Sequence, residues 1–246
     1  MMRPACVART PPVALESIAR HTIETRFLGP DSRVVDLGAN EGAFACEVIE
    51  RFGCECAAVE AAPDVCNAIP DRPGLTKYCL AITGSDGEVE LQLSSRSTAN
   101  SLFKRDGVHT ASVKTPSQTL HSFIHQLGWN TVDLLKMDIE GSEIEVLRTC
   151  DADVLRRIGQ ITVEFHDFMA LTPRDEVEAV KHRLHALGFH GIRMAGRGHE
   201  DTWFFNREML ELSPRELWRM EHLSRNWREF LRITGLKKRQ KSRRKA

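Results

Sequence analysis

The stretch Val132–Glu143, reading Val-Asp-Leu-Leu-Lys-Met-Asp-Ile-Glu-Gly-Ser-Glu, constrains this chain more than any other. An apolar run of strand length passes directly into an acidic, glycine-bearing turn and then into a helical pattern. The adjacent Leu134 and Leu135 point to opposite faces of a strand, so both faces must be covered, as in a parallel sheet flanked by helices. A second junction of the same kind, Val34-Val35-Asp36-Leu37-Gly38-Ala39-Asn40-Glu41-Gly42, lies earlier in the chain. Two such junctions predict a doubly wound α/β fold, whose chemistry lies beyond the carboxyl ends of its strands. Asp138 and Glu140 fall at such an end.

Apolar runs bounded by Gly, Pro and Asp alternate with helical patterns along the rest of the chain. They predict strands over Arg33–Leu37, Glu55–Glu60, Thr76–Ala81, Glu88–Leu93, Val132–Met137 and Ile158–Phe165, and an antiparallel pair from Phe189–Met194 and Thr202–Asn206. Helices are expected over Ala43–Phe52, Pro63–Ile69, Thr119–Leu127, Glu143–Cys150 and Arg174–Leu187. Residues 94–117 are polar and read as a surface loop. Ser142 with Glu145, Thr172-Pro173 with Asp175, and Ser213-Pro214 with Glu216 have the spacing of helix-capping pairs. The organisation expected is a helical extension over residues 1–30, a catalytic-type domain over 31–207, and an amphipathic helix with a basic tail over 208–246. The apolar stripe of Arg215–Ile233 suits docking on the body or on a second copy in a homo-oligomer; its arginines and the tail also suit a membrane surface or a polyanion.

The 246 residues carry 34 basic and 34 acidic side chains. That balance is uneven: residues 237–246 hold seven Lys or Arg, so the remainder has 27 basic against 34 acidic groups and a net charge near −7. An acidic body argues against a broad nucleic-acid face on the fold itself. No apolar run approaches the roughly 20 residues of a membrane span, so no transmembrane segment is expected. Met1–Thr10 lacks a signal-peptide core. Seven cysteines without a Cys-x-x-Cys pair read as buried thiols of a cytoplasmic chain rather than a disulfide framework.

In Asp36–Gly42 the glycines allow a tight turn and close approach of a ligand to the backbone. Glu60, 18 residues after Gly42, ends the second strand where it can accept hydrogen bonds from ribose hydroxyls. A dinucleotide pyrophosphate wants Gly-x-Gly-x-x-Gly, but Asn40 occupies the middle glycine position. S-adenosylmethionine has no pyrophosphate, and its amino-acid end suits a carboxylate such as Asp36 with backbone groups. The pattern therefore favours that cofactor over NAD, while a strand–helix turn that serves packing alone is the plainer alternative.

With both junctions and Glu60 in place, the chain resembles the FkbM family of methyltransferases. The likeness is carried by Asp36–Gly42, Val59-Glu60-Ala61-Ala62-Pro63, Ala81-Ile82 with Asp86-Gly87-Glu88-Val89, and above all Leu134–Glu143, and it spans about residues 31–207. The resemblance implies a Rossmann-like class I methyltransferase fold with a seven-stranded sheet ending in an antiparallel hairpin. It implies S-adenosyl-L-methionine as cofactor and O-methylation of a hydroxyl, often on a sugar or secondary metabolite. It places Asp36, Gly38, Asn40 and Gly42 at the methionine end, Glu60 at the ribose, and Ala81 and Ile82 near the adenine. Ala61-Ala62 departs from the family's habit of placing Pro directly after the acid, which shifts the ribose loop slightly.

Methyl transfer to an alcohol needs an oriented hydroxyl and a proton acceptor. Asp138 and Glu140 follow one central strand; Glu164, His166 and Asp167 follow the next, with Glu164 and His166 on one side of it. His166 is the expected base because imidazole titrates near neutrality, with ordinary strand-end hydrogen bonding as the alternative. Asp138 is expected to position the cofactor's amino group or the acceptor. Lys136, central in a buried strand, should pair with a carboxylate such as Glu164. Asp138, Glu140, Glu164 and His166 also suit a divalent cation such as Mg²⁺. Three functions fit these features: O-methylation of a glycan or small-molecule hydroxyl, RNA methylation using the basic tail, and a non-enzymatic or NAD-binding Rossmann module.

Overall fold

The computed structural model describes residues 14–94, 109–166, 174–194, 201–220 and 222. The chain opens with a hairpin of β1 (Leu15–Ile18) and β2 (His21–Glu24), followed by a 3-10 turn at Thr25–Phe27. The alternating body then runs through β3 (Arg33–Leu37), α1 (Ala43–Phe52), β4 (Glu55–Val59), α2 (Pro63–Ala68) and β5 (Leu75–Tyr78). Next come β6 (Ala81–Thr83), β7 (Gly87–Ser94), β8 (His109–Thr119), α3 (Leu120–Leu127) and β9 (Val132–Met137). The last elements are α4 (Glu143–Thr149), α5 (Ala152–Leu155), β10 (Ile158–Val163), α6 (Arg174–Ala186), β11 (Phe189–Arg193) and β12 (Thr202–Asn206).

Seven strands form one sheet in the order β11-β12-β10-β9-β3-β4-β5. The five from β10 to β5 are parallel, and β12 and β11 complete the sheet antiparallel. This is the Rossmann-like α/β architecture of the class I methyltransferases. Parallel neighbours need crossovers, and the helices that provide them cover both faces. On one face Val35, Leu37, Leu135, Met137, Ile161 and Val163 pack beneath Phe123, Leu147 and Leu184 of α3, α4 and α6. On the other, Val34, Leu134 and Ala58 meet Phe44, Val48 and Ile49 of α1. The strand order reverses between β3 and β9, and the two sequence junctions therefore end side by side.

The expected helix before residue 30 is, within the described part, a β-hairpin. Ala19 and Arg20 both take positive φ (43° and 77°), which makes the two-residue turn that closes such a ribbon and excludes a helix. The hairpin lies on the sheet face beside α1, with Ile18 and Ile23 fully buried. Gln160 on β10 substitutes for a strand partner: its Oε1 accepts from the Glu24 N–H (2.9 Å) and from Trp203 Nε1 (3.1 Å), and its Nε2 donates to the Glu24 carbonyl (3.1 Å).

Three further expectations change. Part of the supposed loop 94–117 is the long strand β8, which pairs with β7 antiparallel and β6 parallel; its run His-Thr-Ala-Ser-Val-Lys-Thr-Pro has no apolar alternation to betray it. Ser142 makes no capping bond, and the neighbouring Glu143 side chain instead turns back to accept from the Ile139 and Gly141 N–H groups of the preceding turn. Cys66 and Cys79 are joined as a disulfide with Cα atoms 5.6 Å apart, contrary to the all-thiol expectation. The link ties α2 to the bend that splits the expected strand Thr76–Ala81 into β5 and β6, a proximity that the 13-residue spacing hides. Cys54, Cys56 and Cys150 are buried free thiols, all pushed up by burial, Cys54 to about 11 and Cys150 to about 12.

The Ser213–Glu216 capping pair does form, with Ser213 Oγ donating to Glu216 at 2.7 Å and the Glu216 N–H returning to Ser213 Oγ. Residues 214–220 are helical. The rest of the helix expected over Arg215–Ile233, the tail 237–246, the Thr172 cap and Asp167 lie outside the described residues. Among the described residues no helix is long and apolar enough to cross a membrane.

Closing a loop of this size by a disulfide stabilises a fold by about 3 kcal/mol. Cys66→Ser should therefore lower the melting temperature of the unreduced protein and leave the reduced protein almost unchanged. An unreduced digest should contain the Cys66–Cys79-linked peptide.

Candidate active site

The two junctions meet through the backbone. Asp138 N–H donates to the Leu37 carbonyl at 3.1 Å, and Gly38 lies so close to Asp138 that a Cβ there would sit 1.8 Å from the Asp138 carbonyl oxygen. With φ at +73°, position 38 accepts glycine alone. Beneath this contact Lys136 faces Asp36 across neighbouring strands, Nζ to Oδ1 3.0 Å, and also donates to the Leu37 and Gly38 carbonyls at 3.1 and 2.6 Å. Burial works against the ammonium, but Asp36 and Asp138 raise its pKa above the ordinary lysine value. Lys136 thus pairs with Asp36, not with Glu164 as expected. Asp36 is fully buried in this pair and is not among the residues that line the cleft above it.

Above the contact opens a cleft of about 480 Å³ lined by Gly38, Val59, Glu60, Ala61, Leu80, Ala81, Ile82, Leu91 and Asp138–Glu140. Glu60 stands on the rim with both oxygens held, Oε2 by the Asn40 N–H and Oε1 by the Ala62 N–H, each at 2.9 Å. Burial raises the Glu60 pKa against these two bonds. Asn40, at φ +49°, bends the turn so that its N–H reaches Glu60, and its Oδ1 is buried with no hydrogen-bond partner. Gly42, at φ +78°, starts α1. An apolar wall of Leu80, Ala81 and Ile82 beside a ribose-type acid, with a spare buried acceptor on the turn, fits an adenosyl cofactor.

Asp138 and Glu140 carry the lining of the cleft into a charged cluster behind it. His166, 4% exposed, bonds through Nδ1 to Glu143 Oε1 at 2.9 Å, and its Nε2 lies 3.6 Å from Asp138 Oδ1 and 3.7 Å from Glu140 Oε2. Burial opposes a charge on this ring, yet the Glu143 bond and the carboxylates of Glu143, Glu140 and Asp138 outweigh it and raise its pKa to about 9. These contacts favour the imidazolium form of His166, whereas a resting base needs the neutral ring. Asp138 also loses by burial, but the closeness of His21, Lys136 and His166 holds its carboxyl well below the usual range. Glu164 moves the other way: burial and repulsion from Asp138 push it up, only partly offset by Arg20 at 3.6 Å.

The structure brings Asp138, Glu140, Glu164 and His166 to one place, as the strand ends foretold, and separates Asp36 and Lys136 from the cleft. Three participants escaped the sequence reading. His21, buried against the edge of Phe44, directs Nε2 toward Asp138 Oδ2 at 3.9 Å and Nδ1 toward Thr162 Oγ1 at 3.4 Å. Arg20 arrives on the same hairpin turn. Glu143 was masked by the capping pattern of its neighbours. The only signal for His21 was a histidine beside β-branched Thr22 and Ile23 in a segment taken for a helix.

The model of the methyltransferase FkbM domain matches residues 36–190. No curated protein sequence matches the chain. Among solved structures, methyltransferase FkbM from Methylobacillus flagellatus KT superposes with a TM-score of 0.50 at 12% identity, over 72% of this chain and 44% of that one. This chain thus spans less than half of that protein's length. Aeropyrum pernix fibrillarin with bound S-adenosyl-L-methionine is more distant, with a TM-score of 0.42 at 14% identity over 74% of this chain and 69% of its own.

Removing one member of a buried ion pair leaves the other charge stranded, at a cost of about 3–5 kcal/mol. Lys136→Met should lose that much in urea denaturation, and adding Asp36→Leu should restore most of it. His166 supplies a pH test. Its folded pKa of about 9 exceeds the usual 6.5, so its contribution is complete below pH 6.5 and disappears as pH rises through 9. The expected loss is on the order of 3 kcal/mol. Denaturation of metal-free protein between pH 6 and 9.5 should show this slope, and Glu143→Gln should flatten it.

Proposed function

Because the chain belongs to the FkbM methyltransferase family, we propose that it transfers the methyl group of S-adenosyl-L-methionine to a hydroxyl oxygen of a sugar, a glycan or a secondary metabolite. The observation that carries this reading is the cleft itself. A ribose-type acid and an apolar wall line it together with Asp138 and Glu140, and His166, His21 and Glu164 gather around those two carboxylates.

When bound, the cofactor supplies an electrophilic methyl carbon whose bond to sulfur breaks as the acceptor oxygen attacks. The chain's residues do the rest. Glu60 accepts from the ribose hydroxyls in exchange for one of its backbone partners. The Gly38 turn and Asp138 fix the amino-acid end. Glu164 is the proton acceptor: burial and the neighbouring Asp138 raise its affinity for a proton, whereas Asp138 itself is held well below the usual carboxylate range. Arg20, above Glu164 on the exposed hairpin turn, faces the side from which an acceptor enters.

The cytoplasmic setting expected from sequence belongs to the same reading, and the Cys66–Cys79 pair bears on it. That bond persists in an oxidising compartment and is open to reduction in the cytosol.

Calorimetric titration with adenosylhomocysteine tests the cofactor reading. Binding should be micromolar or tighter and weaken at least tenfold in Glu60→Ala. Tighter binding of NAD, or indifference to Glu60→Ala, overturns it. Methyl-labelled cofactor with a panel of sugars and metabolites identifies the acceptor. With that acceptor, Glu164→Gln should lower turnover by about 10²–10⁴ while adenosylhomocysteine affinity stays within twofold; a near-normal rate removes Glu164 from proton transfer.

A further inference from the structure

We infer that Asp138, Glu140 and His166 form a binding site for one divalent first-row transition-metal ion at the acceptor end of the cleft. The inference deepens the transferase reading, on which it relies for the ion's purpose but not for its binding.

The first observation is convergence. One oxygen of Asp138, one of Glu140 and the Nε2 of His166 all lie within 4.8 Å of one another. The two distances from His166 Nε2, 3.6 and 3.7 Å, are long for hydrogen bonds. They are close to the spacing of neighbouring ligand atoms around one ion: bonds of 2.0–2.2 Å in a tetrahedral site put such atoms about 3.4 Å apart. From His166 each carboxylate oxygen needs to close by only a few tenths of an ångström.

The second observation is the support behind the histidine. Its Nδ1 bonds to Glu143, a carboxylate 1% exposed and itself fixed by the Ile139 and Gly141 N–H groups. A carboxylate that holds Nδ1 presents Nε2 to the ion and raises its donor strength, the usual outer support of a metal-binding imidazole. An ion that enters displaces the proton from Nε2 and takes its place between the two carboxylates.

A competing set shares Asp138. His21 and Glu164 gather around its other oxygen, also within 4.8 Å. There the imidazole leans on the Thr162 hydroxyl at 3.4 Å instead of a carboxylate. Glu164 already has the Arg20 guanidinium at 3.6 Å. That corner is supplied with positive charge, whereas the Glu140 side has two carboxylates in front of His166 and a third behind it.

Ligand chemistry decides the ion. Mg²⁺ and Ca²⁺ favour all-oxygen shells; an imidazole with two carboxylates favours Mn²⁺, Fe²⁺, Co²⁺ or Zn²⁺. The presence of His166 in the set therefore moves the choice away from the Mg²⁺ expected at first. Asp138 and Glu140 also line the cofactor cleft, so an ion here lies beside the reacting end, placed to polarise the acceptor hydroxyl.

The full chain, stripped with EDTA and dialysed, is titrated separately with Mn²⁺, Zn²⁺, Mg²⁺ and adenosylhomocysteine, with Mn²⁺ also followed by the loss of its free-ion resonance. One Mn²⁺ per chain should bind, Zn²⁺ more tightly, and Mg²⁺ at least a hundredfold more weakly than Zn²⁺. Glu140→Gln, at a half-buried position where folding should survive, should weaken Mn²⁺ at least tenfold. Glu143→Gln should weaken it as well, and Glu164→Gln should leave it within threefold. No stoichiometric binding by any ion, preference for Mg²⁺, or loss in Glu164→Gln with Glu140→Gln unaffected overturns the assignment. Adenosylhomocysteine binding without ion binding sinks the metal site alone; ion binding without adenosylhomocysteine sinks the cofactor reading instead.

Discussion

Everything at this site hangs on the place where β3 and β9 lie side by side and one ammonium holds both ends. Lys136 neutralises Asp36 across the strands and ties up the Leu37 and Gly38 carbonyls just where the β3 ladder stops. A parallel sheet ends with unpaired carbonyls at its carboxyl edge, and buried carbonyls need partners. Lys136 supplies them. The turn above is then set so tightly against Asp138 that position 38 has no room for a side chain. The two strand ends therefore move as one piece of backbone, and the floor of the cleft inherits that rigidity.

On this floor the same residue types acquire different chemistry from their surroundings. Asp138 sits among His21, Lys136 and His166 and keeps its charge. Glu164, a strand away and buried near Asp138, holds its proton more firmly. The charged form of His166 is favoured by Glu143 behind it. Such divergence among neighbouring acids separates a group that holds positive charge from one that can take up a proton. The partners responsible come from four places in the chain: the hairpin, β9 with its turn, the start of α4 and the end of β10. Only the fold brings these together.

Legibility from sequence followed the physics of each feature. The parallel strands and their helices were readable because burial on both faces forces continuous apolar runs, and Arg33–Leu37, Ala43–Phe52 and Val132–Met137 match the structure residue for residue. Glu60 was readable because a strand-end acid follows the Gly turn at a fixed interval. Strand β8 was not, since its order comes from backbone pairing with β7 and not from an apolar face. The partner of Lys136 was misjudged because strand adjacency, not chain distance, decides which carboxylate is nearest, and β3 borders β9 on one side as β10 does on the other. Periodicity places Asp36 and Lys136 on one face only once the register Asp36↔Lys136 is known.

The hairpin carries the largest lesson of this kind. Its turn uses two residues with positive φ that are neither glycine nor asparagine, a conformation that costs of order 1 kcal/mol or more at each residue. Ile18 and Ile23 offset that cost in the core, and Gln160 satisfies the Glu24 backbone from the sheet below. The result is that Arg20 and His21 arrive over Asp138 and Glu164 on a rigid ribbon anchored at both ends. Thr22 adds a third anchor by bonding Asp201 through both its N–H and its hydroxyl, which joins the hairpin to the edge of β12. A helix in this segment, as expected over residues 1–30, would deliver side chains at intervals of three or four residues. The tight turn instead presents two adjacent cationic-type residues to two different carboxylates. The charge pattern of the site therefore depends on a segment that lies outside the 36–190 match to the family.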